Sequence, residues 1–387
     1  MIRVTAGERP AVIVFRIRVL PWSETFIAAQ GGRLERYRPV FAGFRWDKAG
    51  KTYLAGHDAV LLEDHSALPA VARALQRTVG LVGPAFLRAL RERAPVLVHA
   101  HFGRSADAAI PLARALGVPL VATFHGCDIT VTPRTRRERR RRARVFAAAA
   151  RVVAVSEFIA ERLRENGCPP GKITRHFIGV DTERFAPGPE ADREPAQVLF
   201  VGRIVEKKGL VHLLRALPEV QRALPEVSLA IAGDGPLRAA LEAEARDLGV
   251  RARFLGVLPP ARVQELMRRT TVLCVPSLPA ASGDDEGLGM VIVEAQASGA
   301  PVVISRSGGM PETVVDGVTG LIAPPGDERA IAAHLVALLS DRERRARFSA
   351  AARANVLEKF DLRRQTARLE ELYDDVRAGI RSERTAS

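Results

Sequence analysis

The chain has few of the residues that cross-link proteins or hold structural metals. Its 387 residues include three cysteines, Cys127, Cys168 and Cys274, whose scattered positions match no metal-ligand spacing. These thiols argue against a disulfide framework and a zinc site, and they favour a reducing compartment. No apolar run approaches the roughly 20 residues that a membrane-spanning helix needs, and the first residues show no signal-peptide pattern. We therefore expect a soluble, cytoplasmic chain.

The sequence does contain a regular alternation of short apolar runs and helical patterns. Hydrophobic residues make up 47% of the chain, and the length is sufficient for two domains that each bury a core. Short buried strands separated by helices predict an α/β fold, with parallel sheets covered by helices on both faces. The predicted strands are residues 11–15, 40–43, 59–62, 96–100, 119–124 and 151–155 in the first half, and 197–201, 227–232, 251–255, 272–275 and 301–304 in the second.

A polar, proline-rich stretch at residues 186–195 interrupts this alternation and is typical of a linker. The expected domains are therefore residues 1–187 and 188–360. Residues 361–387 are expected to form a charged amphipathic helix. Two doubly wound domains would face each other across a cleft at the carboxyl ends of their strands.

Positive charge is concentrated in the first half of the chain. Residues 1–187 hold 31 Lys and Arg against 16 Asp and Glu, whereas residues 188–387 hold 27 against 28. Residues 134–144, the run from Arg134 to Arg144, contain eight arginines and one glutamate. A solvated helix face is one interpretation of this run. We predict instead peripheral binding to the anionic cytoplasmic leaflet of the cell membrane, because each basic residue near such a surface contributes about 1 kcal/mol.

Two glutamates flank the start of an apolar helical segment in the second domain. Glu286 precedes the predicted helix and Glu294 lies inside it. One carboxylate can accept hydrogen bonds from sugar hydroxyls and the other from ribose hydroxyls, which suits a sugar nucleotide. The amides at the helix N-terminus, from Gly287, Leu288 and Gly289, would face its pyrophosphate. A solvated loop glutamate and a helix-surface glutamate are the alternative.

A glycine-bounded basic loop follows the first strand of the second domain. Gly202 allows close backbone approach there. Arg203 and Lys208 supply two cations at the mouth of the strand, where a departing diphosphate needs its charge neutralised. The next strand ends in a loop that contains Gly235, for which tight turn chemistry is the simpler interpretation.

Polar residues also follow three predicted strands of the first domain. His125 lies at the carboxyl end of a strand beside a glycine, where it would face the cleft and donate to a phosphate or a sugar hydroxyl. Asp128 is a second candidate, although it is equally suited to cap the next turn. His101 ends the preceding strand. Ser23 and Glu24 follow the first strand, where Ser23 is also suited to cap a helix.

Taken in order, these motifs resemble the retaining glycosyltransferases of family 4. The resemblance rests on Ser-Glu-Thr-Phe-Ile from residue 23, His-Ala-His-Phe-Gly from 99, Thr-Phe-His-Gly-Cys-Asp from 123, the basic loop, the paired glutamates and Ser-Gly-Gly-Met-Pro-Glu from 307. The pattern looks most like the bacterial exopolysaccharide branch that includes colanic acid enzymes. Many members have a glycine-rich loop near residue 23, and this chain has Pro-Trp-Ser-Glu-Thr from residue 21 instead.

The resemblance implies the GT-B architecture, in which a Rossmann-like acceptor domain precedes a Rossmann-like nucleotide-sugar domain and the C-terminal helix of residues 361–387 crosses back to the first domain. It implies transfer of a hexose, with retention, to a glycan or to a polyprenyl-linked or glycolipid acceptor. The implied roles are catalysis for His125, Arg203, Lys208 and Glu286, donor binding for Gly202, Gly235, Gly287, Leu288, Gly289 and Glu294, and acceptor binding for Ser23, Glu24, His101 and Asp128.

Three further expectations concern cofactors and alternative functions. The sequence contains no Asp-x-Asp triplet, so we expect neither a metal-chelated donor nor another cofactor. A nucleotide-sugar epimerase or hydrolase of similar architecture remains an alternative. A nucleic-acid-binding protein is suggested by charge alone, and the basic run lacks the interleaved aromatic residues that such proteins use.

Overall fold

The computed structural model describes residues 9–21, 24–47, 50–189, 194 and 196–385. These residues form two compact units. The first unit comprises the described residues up to Gly179 together with the segment that begins at Leu362, and the second runs from Val180 to Asp361.

A parallel sheet of seven strands forms the centre of the first unit. Its strands are β1 (Ala11–Val19), β2 (Arg38–Trp46), β3 (Ala59–Leu61), β4 (Pro95–His101), β5 (Leu120–Phe124), β6 (Arg151–Ala154) and β7 (Ile173–Arg175). Their order across the sheet is β3-β2-β1-β4-β5-β6-β7. Val12 of β1 is in register with Pro39 of β2 on one side and with Leu97 of β4 on the other. The strand order therefore reverses between β1 and β4, next to which doubly wound sheets bind their ligands.

The second unit repeats this topology with six parallel strands. They are β8 (Gln197–Val201), β9 (Ser228–Ala232), β10 (Ala252–Gly256), β11 (Val272–Val275), β12 (Val302–Ser305) and β13 (Leu321–Ala323). The order is β10-β9-β8-β11-β12-β13, and Leu273 of β11 is in register with Leu199 and Val302. Here the order reverses between β8 and β11. Together the two sheets confirm the predicted α/β fold class.

Helices connect the strands and cover the sheets. They are α1 (Thr25–Gly32), α2 (Gly50–Tyr53), α3 (Pro69–Thr78), α4 (Pro84–Arg91), α5 (Gly103–Leu116), α6 (Cys127–Thr130), α7 (Arg136–Ala148), α8 (Glu157–Glu165), α9 (Leu210–Ala223), α10 (Arg238–Asp247), α11 (Pro260–Arg269), α12 (Met290–Ala297), α13 (Glu328–Ser340), α14 (Arg342–Lys359) and α15 (Leu362–Thr385). In the part of the chain that the structure describes, no helix is both long enough and apolar enough to cross a membrane.

Most strand residues are apolar and buried because helices cover both faces of each sheet. In β8, Phe200 packs into a cluster with Leu214 of α9 and Leu335 of α13. Its neighbour Leu199 points to the opposite face and packs with Ile292 of α12. Burying each such side chain contributes about 1.5–3 kcal/mol, so the sheet is stabilised from both sides and its loops are held on a rigid support.

The last helix belongs to the first unit although it follows the second in the chain. Leu369 and Tyr373 of α15 pack against Val12 and Leu97 of the first sheet. The helix is also held by the carboxylate of Glu370, whose Oε1 accepts hydrogen bonds from the amides of residues 35 and 36 at 2.9 and 2.7 Å. Apolar packing and buried polar contacts therefore fix α15 on this sheet.

Candidate active site

In the second unit, the loops that follow β8 and β11 meet at an ion pair. Lys208 Nζ lies 3.0 Å from Glu286 Oε1, and Lys207 Nζ lies 3.7 Å from the same atom. The side chains of Lys208 and Glu286 are only 17% and 10% exposed. Burial raises the pKa of Glu286, but Lys208 and Lys207 outweigh it and bring the pKa below its ordinary value. Glu286 is therefore a carboxylate at neutral pH, and two predicted catalytic residues lie together.

Neighbouring side chains hold the Glu286 loop in place. Lys207 Nζ lies 3.0 Å from Asp284 Oδ1. Asp285 Oδ1 accepts hydrogen bonds from the amide of Glu286 at 2.7 Å and from the hydroxyl of Ser307 at 2.5 Å. The sequence prediction did not assign roles to these supporting residues, although adjacent lysines and adjacent aspartates next to predicted catalytic residues were a visible signal.

The turn after β12 packs directly on the backbone of Glu286. Gly308 has a φ of 55°, and a Cβ placed there would lie 2.1 Å from the carbonyl oxygen of Glu286. The amide of Gly309 donates to that same oxygen at 2.9 Å. Only glycine permits both the positive φ and this approach. The glycine pair therefore fixes the height of Glu286 above the sheet.

Arg203 differs from Lys208 in its surroundings. It is exposed, and its guanidinium makes no ion pair or hydrogen bond with any residue that the structure describes. The loop beneath it is closely packed, because Gly202 donates to the carbonyl of Ala232 at 3.0 Å and a Cβ on Gly235 would lie 2.3 Å from the carbonyl oxygen of Ile204. An uncompensated guanidinium thus stands on a rigid loop, as a diphosphate site requires.

The predicted donor helix is α12, which begins after Gly287, Leu288 and Gly289. Glu294 lies on this helix and is half-buried. Its carboxylate makes no ion pair or hydrogen bond with any described residue. Burial raises the pKa of Glu294 to about 7, against the opposing effect of Arg184. A buried carboxylate without donors is poorly stabilised, so hydroxyl donors from a ligand would favour its ionised form.

In the first unit, two predicted residues lie side by side. His101 Nδ1 lies 3.1 Å from His125 Nε2. The other ring nitrogen of His125, Nδ1, is buried and has no hydrogen-bond partner in the described part of the chain. Burial is the main cause that lowers the pKa of both rings well below the ordinary value, and Arg16 lowers it further. Both rings are therefore neutral at neutral pH, and His125 retains one unused polar atom.

Asp128 orders the loop that carries His125. Its Oδ1 accepts hydrogen bonds from the amides of His125 and Gly126 at 3.1 and 2.9 Å, and its Oδ2 accepts one from Gly103 at 3.0 Å. Both carboxylate oxygens are thus engaged with backbone. This is a supporting role, and the predicted contact of Asp128 with an acceptor stays a prediction.

Glu24 is almost buried, at 6% exposure, and it pairs with Arg16 of β1. Arg16 Nε donates to Glu24 Oε2 at 2.7 Å, and the same guanidinium lies 4.2 Å from the ring centre of Phe102. Phe102 has a φ of 70°, a strained value for a residue with a side chain. The predicted strand ended at residue 15, so the prediction missed Arg16. The other predicted residue of this loop, Ser23, lies outside the described residues.

The cysteines and acidic residues form no evident metal centre in the described ranges. Cys127 is exposed, whereas Cys168 and Cys274 are buried thiols. Across those ranges, no group of three or more His, Cys, Asp or Glu side chains is arranged to hold a metal ion.

Comparison with protein families divides the chain into two matched regions. Residues 33–184 match the model described as Glycosyltransferase Family 4, and residues 181–355 match the model described as Glycosyl transferases group 1. The boundary between the matches falls close to Val180, where the second compact unit begins.

Two curated relatives share substantial identity with the chain. The GDP-mannose-dependent alpha-(1-6)-phosphatidylinositol monomannoside mannosyltransferase of Mycolicibacterium smegmatis is 36% identical over 70% of this chain and 75% of its own length. The candidate colanic acid biosynthesis glycosyltransferase WcaL of Escherichia coli is 33% identical over 63% of this chain and 61% of its own length. The second match therefore spans less than two thirds of that relative.

Among solved structures, the complex of Anabaena Alr3699/HepE with UDP and glucose superposes with a TM-score of 0.77. The match covers 95% of this chain and 100% of that chain at 20% identity, which establishes the GT-B fold. Together with the mannosyltransferase match, which covers three quarters of that relative at 36% identity, these comparisons show that the chain belongs to the retaining glycosyltransferases of family 4, enzymes that use nucleotide sugars.

Proposed function

We propose that the chain transfers a hexose from a nucleotide diphosphate sugar to a glycan or lipid-linked acceptor, with retention, in the synthesis of a bacterial exopolysaccharide or another cell-surface glycan. The observation that carries this proposal is the pair of Lys208 and Glu286, 3.0 Å apart, at the strand-order reversal of the second sheet. A cation for the diphosphate and an ionised acceptor for sugar hydroxyls lie together where such sheets bind nucleotides.

Each donor-binding residue has a role that its surroundings support. The guanidinium of Arg203 has no partner among the described residues, and it neutralises the diphosphate together with Lys208. Glu286 accepts hydrogen bonds from the transferred sugar. Glu294, whose pKa burial raises to about 7, accepts them from the ribose. The backbone of Gly202, Gly235 and residues 287–289 lines the rest of the proposed donor site.

Catalysis in this proposal depends on electrostatics and positioning. Charge grows on the diphosphate as the glycosidic bond breaks, and Arg203 and Lys208 stabilise that charge. The leaving phosphate oxygen helps to deprotonate the attacking hydroxyl on the same face of the sugar. His125 is neutral and retains an unpartnered Nδ1, so we assign it a hydrogen bond to the sugar or phosphate. Glu24 and His101 support the acceptor side.

The relatives support a hexose donor and a lipid-linked acceptor without fixing either. The mycobacterial relative is named as GDP-mannose-dependent and as acting on a phosphatidylinositol monomannoside. The Escherichia coli relative is named for colanic acid biosynthesis. Mannose is therefore the first donor sugar to test.

We also propose that the enzyme works at the cytoplasmic face of the cell membrane. Within the described residues, no ion pair or hydrogen bond involves the side chains of Arg136, Arg137 and Arg140 on α7. Their charge is therefore available to anionic lipid. Attachment of this kind weakens as salt screens the charges. Co-sedimentation with anionic vesicles should therefore occur at low salt and disappear at high salt. Absence of binding at low salt would contradict the proposal and would favour a soluble acceptor.

The donor assignment can be tested by ligand protection followed by transfer. Nucleotide sugars with different bases and hexoses are screened for an increase in the thermal unfolding midpoint, since a ligand of the folded state stabilises it. The best ligand is then incubated with lipid extract, and the anomeric configuration of the product is determined. A retained glycoside supports the proposal. Release of free sugar or formation of an epimer without an acceptor would instead indicate a hydrolase or an epimerase.

A further inference from the structure

Four arginines of α7 lie on one face of that helix. Arg137, Arg140, Arg141 and Arg144 follow the spacing i, i+3, i+4, i+7, which places side chains in one stripe. The opposite face is anchored, because Arg142 donates to the carbonyl of Val131 and to Asn166 Oδ1, each at 2.6 Å. The arginine stripe is therefore held in a fixed direction.

The stripe faces a cavity of about 400 Å³. Arg77 at the end of α3 and Asp107 on α5 line the same cavity. These elements are far apart in the sequence. The arginine run alone therefore did not indicate that Arg77 and Asp107 would line a cavity together with it.

Positive charge in this cavity is largely uncompensated. Its one lining carboxylate is Asp107, which lies 2.6 Å from Arg144 Nη2 and 3.6 Å from Arg141 Nε. Among the described residues, no ion pair or hydrogen bond involves the side chains of Arg77, Arg137 and Arg140. The glutamate of the run, Glu138, is used elsewhere, in the capping box that starts α7.

The pKa of Arg141 reflects the repulsion among the guanidinium groups of this cavity. Burial lowers the pKa of Arg141, and the nearby guanidiniums of Arg104, Arg137 and Arg77 lower it further, against the opposing effect of Asp107. Like charges held this close repel one another, and an anion bound among them relieves that repulsion. Guanidinium groups match the oxygens of phosphate in pairs, so phosphate is the anion that this geometry suits best.

Exposed apolar side chains lie on and beside α3. Leu68, Val71, Leu75, Val79 and Leu81 are 39–70% exposed, and Val79 follows Thr78, which lines the cavity. An apolar edge next to a phosphate pocket suits a phosphate at the surface of a membrane, where the apolar side chains enter the headgroup region.

We propose that the cavity formed by α3, α5 and α7 binds a phosphate group that carries about two negative charges, a phosphomonoester or a diphosphate. The phosphate is either the headgroup of a lipid or a soluble ion. This inference does not depend on the donor assignment. It also goes beyond attachment by diffuse charge, because it requires a defined pocket.

The test compares two double variants of one helix. Arg137→Ala/Arg140→Ala removes two arginines that line the cavity, and Arg136→Ala/Arg139→Ala removes two that do not. Both lose the same net charge. Binding is measured to neutral vesicles that contain phosphatidylinositol 4-phosphate and to vesicles that contain enough phosphatidylglycerol to give the same surface charge. Thermal unfolding without ligand, together with a single Arg77→Ala variant on α3, checks that any loss is not a folding defect.

The unmodified protein should prefer the phosphomonoester vesicles by roughly tenfold, as one or two additional charge-assisted hydrogen bonds allow. The cavity variant should lose this preference and the control variant should keep it. For a soluble ligand, sodium pyrophosphate should raise the unfolding midpoint of the control variant more than that of the cavity variant, a comparison in which binding at the donor site cancels. Equal behaviour of the two double variants in both assays would overturn the proposal and leave only diffuse charge.

Discussion

Lys208 Nζ lies 3.0 Å from Glu286 Oε1, and this contact joins the loops after β8 and β11. The two residues neutralise each other while the site holds no anion. In the proposed donor site, Lys208 would serve both the diphosphate and the carboxylate, and Glu286 would stay ionised to receive sugar hydroxyls. The proposal therefore couples sugar recognition and phosphate recognition through one ion pair.

Replacing Lys208 should damage both stability and turnover. In Lys208→Ala, the buried Glu286 keeps only the more distant Lys207, and breaking a buried pair from one side costs about 3 kcal/mol. Loss of a cation that meets the developing charge should also raise the barrier by about 2–4 kcal/mol. Urea unfolding and kcat with a matched donor measure the two effects. Wild-type turnover in the folded variant would refute the catalytic role.

Replacing Arg203 should lower turnover without lowering stability, in contrast to Lys208→Ala. Arg203 is exposed and its guanidinium has no described partner, so Arg203→Ala should change the free energy of unfolding by less than about 0.5 kcal/mol. Its turnover should nevertheless fall by a barrier change of about 2–4 kcal/mol, because it meets the same diphosphate. Comparison with Lys208→Ala separates the structural effect from the catalytic one. If turnover is unchanged, Arg203 does not contact the diphosphate.

Donor affinity should depend on pH through Glu294. Its pKa of about 7 in the free protein means that part of the population is protonated at neutral pH. In the proposed site, ribose hydroxyls bind the ionised form, so donor affinity should rise as pH increases from about 6 to 8 and then level off. The variant Glu294→Gln should remove this dependence and weaken binding by about 1.5–3 kcal/mol for each charged hydrogen bond lost. Calorimetric titration across that range would show a flat profile in both proteins if the assignment is wrong.

The turn at Gly308 should be intolerant of any side chain. In Gly308→Ala, the new Cβ meets the carbonyl oxygen of Glu286 at 2.1 Å in addition to the unfavourable φ. We expect a stability loss of at least about 2 kcal/mol and a large loss of activity as Glu286 shifts. Gly317→Ala is the control, since Gly317 has a φ of 75° with nothing within 4 Å of its Cβ. Similar activity in the two variants would show that the turn does not position Glu286.

The sequence predicted most strands because their apolar runs are buried between helices. The edge strands β7 and β13 were not predicted. In β7, Ile173–Arg175, only the first of three residues is apolar, and in β13 the apolar run of Leu321–Ala323 has three residues against four at residues 59–62. Contacts between particular side chains were not predicted, for a different reason. Nothing in the sequence says that Lys208 meets Glu286, or that Arg77 joins Arg137, since these partners are set by the way the loops and helices pack.

The placement of α15 has a consequence for the way the protein is made. Val12 leaves the ribosome long before its packing partners Leu369 and Tyr373 do. The whole second unit, from Val180 to Asp361, is translated in between, which takes roughly 10–40 s at ordinary elongation rates. During that interval the first sheet lacks the side chains of Leu369 and Tyr373, which pack against Val12 and Leu97. Translation that stops before Leu362 would therefore leave the first unit, and not the second, without one of its helices.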